Sequence, residues 1–114
     1  MIRQALIAAA LLGAAPAHAF APAAGQETRV PRMGSFLEWV ADGSRGLYIR
    51  ADSGRWYYAR IQDDCPGLHP HAALSFQTAP NGDFDRFSAI RAEGSRCLVS
   101  SVTASDGPPW RRRR

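Results

Sequence analysis

From Ser35 onward, short blocks rich in aromatic and β-branched residues alternate with clusters of Asp, Gly, Ser and Asn. "SFLEWV" predicts a first strand and "ADGSRG" a turn. "LYIRA" then places Leu47, Ile49 and Ala51 on one face and Tyr48 and Arg50 on the other, the period-2 pattern of a half-buried strand. "DSG" makes a second tight connection, and "RWYYARI" reads as a third strand of a meander. Further along, "ALSFQT" stops at "APNGD", whose Asn81-Gly82 pair is a turn signal. "DRFSAIRAEGSRCLVSSVTA" predicts a final hairpin turning at Glu93-Gly94-Ser95. The spacing of Phe84, Phe87 and Ile90 fits one or two helical turns as well as a strand, so Phe84 to Arg91 stays open between the two. No window carries a long amphipathic helix. The expected fold is all-β, a small antiparallel β-sandwich or partly open barrel of about five to six strands.

The ends of the chain carry a different pattern. "MIRQALIAAALLGAAPAHA" joins one basic residue, Arg3, to an apolar run from Ala5 to Ala15 and a small-x-small ending, the layout of a secretory signal peptide cleaved near Ala19. The run is shorter than the roughly 20 residues that cross a bilayer, so no transmembrane span is expected in the mature chain. No cysteine follows it for lipid attachment. The expected location is the periplasm or the medium. Residues 20–32 are rich in Ala, Pro and Gly without apolar periodicity and predict a flexible leader. A single domain over 33–106 follows, and residues 107–114 predict a disordered basic tail.

Charge sharpens this division. The chain has fourteen Arg, no Lys and ten acids, but without Arg3 and Arg111 to Arg114 nine Arg face those ten acids, so the domain itself is close to neutral. The positive character gathers in "PPWRRRR". Arg111, Arg112, Arg113 and Arg114 suit an anionic envelope component, whereas a frayed end without a partner is the plainer alternative. Specific nucleic-acid binding is not expected.

Given export, Cys65 and Cys97 are most simply one disulfide, since two cysteines allow a single intramolecular pairing; a free thiol or an intermolecular bond are the alternatives. The closed loop of about thirty residues corresponds to roughly 3 to 4 kcal/mol in the chain-entropy picture. No Cys-x-x-Cys motif is present. Phe36 to Val102, with "WYYARI", "CPGL", "FDRFSAIR" and the second cysteine in "RCLVSSV", resembles small exported proteobacterial proteins that carry an uncharacterised domain of unknown function. The resemblance implies a disulfide-bonded β-rich domain behind a signal peptide. It brings no catalytic residues, cofactor or substrate.

The residue types present suit three kinds of site. Cys65, His69 and His71 lie within seven residues, beside Asp63 and Asp64, but a disulfide would remove the thiolate and leave His69 and His71 as weak metal candidates. No cofactor is assigned. For hydrolysis, Ser75 or Ser88, His71, and Asp64 or Asp85 supply the residue types of a triad without any nucleophile-elbow motif. The neighbouring acids Asp83 and Asp85 sit where turn formers are common. For binding, alternation must separate Trp56 and Tyr58 from Tyr57, so either both faces of that strand are covered or aromatic surface is exposed, with Arg55 and Arg60 at its ends. Core packing of at least two of the three aromatics is the default. The functional expectation is an exported, non-catalytic binding or envelope-associated module; the alternative is a small periplasmic metal-binding or hydrolytic protein using His69 and His71.

Overall fold

The computed structural model describes residues 23–112. The predicted signal peptide, the first residues of the leader, Arg113 and Arg114 lie outside the described residues. Six strands form one antiparallel sheet: β1 (Glu38–Asp42), β2 (Gly46–Arg50), β3 (Trp56–Ile61), β4 (Leu74–Gln77), β5 (Ala89–Ala92) and β6 (Ser95–Ser105). Their spatial order is β1-β2-β3-β6-β5-β4, curled into a half-barrel. The fold is therefore the partly open barrel rather than the two-sheet sandwich.

The meander registers as the alternation predicts. Trp39, Ile49, Tyr57 and Ala104 lie side by side on the concave face, as do Ala41, Leu47, Ala59 and Val102. The β5–β6 hairpin turns at Glu93-Gly94, both at positive φ (51° and 88°), the backbone that matches the right-handed twist of the flanking strands. The open stretch Phe84 to Arg91 resolves into a turn and a strand. Asp85 Oδ1 accepts the Phe87 N–H at 2.9 Å, and Ser88 Oγ accepts the Asp85 N–H at 3.0 Å, so local side-chain bonds displace a helix before β5 begins.

β6 is long because it serves both halves of the sheet. Ser95 to Leu98 pair with β5, whereas Val99 to Ser105 pair with β3. The changeover is a bulge: Arg60 faces Ser101 but Ile61 faces Val99, and the extra residue, Ser100, donates its hydroxyl to the Arg60 carbonyl at 3.2 Å. An added residue bends its strand and raises the local twist, which curls the sheet. Curling brings its two ends together. Phe36, just ahead of β1, meets Phe76 of β4 edge-to-face with centroids 5.2 Å apart, and Phe76 meets the buried Phe84 at 5.4 Å.

Two expectations about the ends need correction. Residues 25–30 of the predicted flexible leader run beside the second half of β6, with backbone bonds from Gly25 N–H to Ala104 O, Ala104 N–H to Gln26 O and Thr28 N–H to Val102 O. Val30 then exchanges both backbone bonds with Phe84, and its side chain is fully buried in the core with Met33. The segment lacks periodicity because it covers a strand edge and sends only Val30 inward. The predicted disordered tail is likewise docked through Arg111: Gly107 and Pro108 are buried, and a short helix, α1 (Pro109–Arg112), follows. Among the described residues, no helix is long and apolar enough to cross a membrane.

Cys65 and Cys97 form the disulfide, with Cα atoms 5.8 Å apart. It ties the loop after β3 to the start of β6. The "CPGL" turn closes with Leu68 N–H donating to the Cys65 carbonyl, and Leu68 enters the core.

Candidate functional site

Alternation along β3 sends Tyr57 into the core and Trp56 and Tyr58 to the convex face, both half-buried. The core thus takes one of the three aromatics, not two, because the other two have a second cover. Trp56 lies in register with Arg50 and Glu38, and Tyr58 with Tyr48 and Val40. Arg60 is exposed on the same face one step further along, while Arg55 sits in the β2–β3 turn at its end. Of the predicted ligand surface, the structure gathers Trp56, Tyr58 and Arg60, puts Arg55 at the rim, and removes Tyr57.

The rings form a connected set. Tyr48 and Tyr58 meet edge-to-face at 4.8 Å, and Tyr58 donates its hydroxyl to Asp42 Oδ2 at 2.7 Å. Burial first, and the Asp42 carboxylate second, push the Tyr58 phenol above the ordinary tyrosine range, so it is a neutral donor at physiological pH. Gly46, opposite Asp42, makes this possible. A Cβ there would meet the Tyr58 hydroxyl at 2.7 Å and clash with the Ala59 carbonyl.

The cover over these rings comes from the C-terminal segment. Gly107, at φ 97°, lies against Trp56 so closely that a Cβ would sit 3.1 Å from the indole. Trp110 meets Tyr48 edge-to-face at 5.9 Å. Arg111 places its guanidinium 5.8 Å from the Trp56 centroid and donates to Glu38 Oε1 at 2.7 Å, while Arg50 reaches the other Glu38 oxygen at 3.5 Å. Arg50, expected across the hairpin from the aromatic strand, lies opposite Trp56, and the residues that sequence reasoning missed are Glu38, Asp42, Tyr48 and Trp110. Of these, only Tyr48 carried a signal, its outward phase in "LYIRA".

The cysteine loop holds less. His69 and His71 are exposed; His69 Nδ1 accepts the His71 N–H at 3.2 Å, and its Nε2 lies 3.7 Å from Glu93. Among the described residues, no three His, Cys, Asp or Glu side chains come close enough to share a metal ion. A shallow cavity of about 280 Å³ lies beside the disulfide, lined by Gln62, Asp63, Asp64, Pro66, Arg96 and Leu98, with neither histidine among its walls. The residue types for hydrolysis do not converge either. Ser88 Oγ is bonded to Asp85, Ser75 is exposed on edge strand β4, and Asp83 is paired with Arg29 at 2.7 Å. Comparison with protein-family models, curated proteins and solved structures returns no match for this chain.

Proposed function

We propose that this chain is an exported, non-catalytic binding module that associates with the cell envelope through the convex face of β1–β3 and the C-terminal segment laid on it. The observation that carries the reading is the concentration of chemistry there. Tyr48, Tyr58 and Trp110 are in ring contact, and Trp56 joins them on the same face through Arg111, with Arg50 beside it, all outside the core. Aromatic rings with guanidinium neighbours are the composition of recognition surfaces, not of solvent-facing β-strands. The disulfide and the n-region, h-region and small-x-small pattern of residues 1–19 support export, and the resemblance to small exported proteins is consistent with them.

Expression in a Gram-negative host with the chain's own N-terminal segment tests this. The expected product is periplasmic, starts at Phe20 by mass, and sediments with the envelope fraction at low salt but is released at about 1 M salt. A cytoplasmic product with an intact N-terminus would sink the export reading. A periplasmic product that never sediments with the envelope would sink the binding reading.

A further inference from the structure

We propose that the end of the sheet formed by Leu37, Arg50, Arg55, Trp110 and Arg111, from which the arginine run continues in sequence, docks onto the anionic headgroups of a lipid bilayer. This names the partner of the envelope-binding surface above and rests on that reading. The placement follows from the register. Arg50 lies opposite both Glu38 and Trp56, Leu37 donates its N–H to the Arg50 carbonyl at 2.8 Å, and Arg55 closes the turn one residue before Trp56. Arg111 reaches the same end by its bond to Glu38.

Charge is lopsided here. Among the described residues Arg32, Arg50, Arg55 and Arg111 face Glu38, Asp52 and Asp106, and three further arginines, 112 to 114, follow Arg111 directly in sequence. From Gly107 to Arg114 the sequence has four arginines and no carboxylate, so this stretch is strongly positive. The carboxylates do not neutralise it. Asp52 is taken by Arg32 in a two-point contact at 2.8 and 3.0 Å, and Glu38 is shared between two guanidiniums. Arg55 has no ion pair among the described residues.

What distinguishes a bilayer from another polyanion is the apolar component. Leu37 is 55% exposed and Trp110 50% exposed, and each adjoins in sequence one member of the Glu38–Arg111 ion pair. A phosphate backbone gives an exposed leucine nothing to enter. The headgroup boundary accepts both side chains, and tryptophan prefers that depth. Arginines beside them gain from the negative surface potential, each strengthening binding about fivefold.

The test uses the chain recovered from the host periplasm, sedimented with vesicles of phosphatidylcholine alone or with about 30% phosphatidylglycerol. Binding is expected only to the anionic vesicles, and it should vanish at about 1 M salt. R112Q/R113Q/R114Q leaves the Arg111–Glu38 contact in place and should weaken binding roughly a hundredfold. Leu37→Ser, on a separate element, should weaken it several-fold without changing the melting temperature, and Trp110→Phe should abolish a blue shift of tryptophan emission on vesicles. Equal binding to both vesicle types overturns the proposal. So does tight binding to heparin or duplex DNA combined with no effect of Leu37→Ser, which would reassign the surface to a soluble polyanion. Failure to bind vesicles by a chain that still sediments with the envelope overturns the lipid assignment alone; loss of both removes the binding reading too.

Discussion

Breaking the Cys65–Cys97 bridge should remove about 4 kcal/mol of stability. The bonded residues are 32 apart in sequence, and the loop-closure entropy for that length, about 12 cal/mol/K, gives about 3.7 kcal/mol at room temperature. The described domain of roughly ninety residues would be expected to have a total of about 5–14 kcal/mol. The bridge therefore supplies a quarter or more of it. Its position adds to the effect: Cys65 is fully buried and Cys97 7% exposed, and both belong to the core with Leu68 and Ile90, so reduced thiols stay apolar and the loss is mainly one of chain restraint. Urea and thermal unfolding of the oxidised chain and of the chain kept reduced by excess dithiothreitol give the difference directly. The expected result is a melting point lower by about 15–30 °C for a domain of this size, with no thiol titrating before reduction. A difference below about 1 kcal/mol with unchanged urea slope would refute the argument, because it would mean that the loop from β3 to β6 is already held in the unfolded chain.

Gly46→Ala should cost about 2–3 kcal/mol by urea unfolding, since its Cβ collides with the Ala59 carbonyl of the paired strand and the Tyr58 hydroxyl; an unchanged midpoint would mean that β2 and β3 separate more easily than their register implies. Gly94→Val places a β-branched side chain at φ 88° in the β5–β6 turn and should cost about 1–2 kcal/mol in the same assay. Removing residues 20–32 deletes the fully buried Val30 and the backbone bonds to Ala104 and Val102, and should lower the melting point by about 10 °C, whereas an idle leader would leave it unchanged. In an ultraviolet pH titration, the Tyr58 phenol should ionise above the ordinary range near 10, and Asp42→Asn should bring it down. Because the fold favours the neutral phenol, its contribution to stability is complete below that range and is lost as pH rises through the raised value.

Much of the sheet was legible because β2 and β3 alternate strictly and their turns carry Gly at the needed positions. The cysteine pair was legible from the count of two cysteines together with the expectation of export. The curl was not. It depends on Ser100, one residue inserted into β6, and nothing in "RCLVSSVTA" marks a bulge, since Ser and Thr fit either face of an exposed strand equally well. Phe84 to Arg91 stayed ambiguous because its apolar spacing is set by three different tasks. Phe84 fills the core, Ile90 belongs to β5, and Phe87 projects from the Asp85 turn at 82% exposure with Arg86 beside its ring. Periodicity reports one repeating environment, and this segment has none.

The site was half visible for a related reason. Three successive aromatics in "WYYAR" must occupy both faces of a β-strand, so alternation alone requires either an aromatic outer face or a cover on both faces. What covers that face could not be read from the tail, because four consecutive arginines dominate its composition and mark it as solvated. The contacts are made mostly just ahead of the run. Gly107 has no Cβ to keep the chain off Trp56, Pro108 is buried, and Trp110 reaches Tyr48. β6 ends at Ser105, beside Trp56, so the first residues able to shield the indole are the two or three that follow it. A glycine at positive φ there turns the chain back over the rings instead of away from them. The aromatic face and the segment that leads into the basic tail, separate features along the sequence, are thereby one surface in the fold, with Arg111 delivered to its edge.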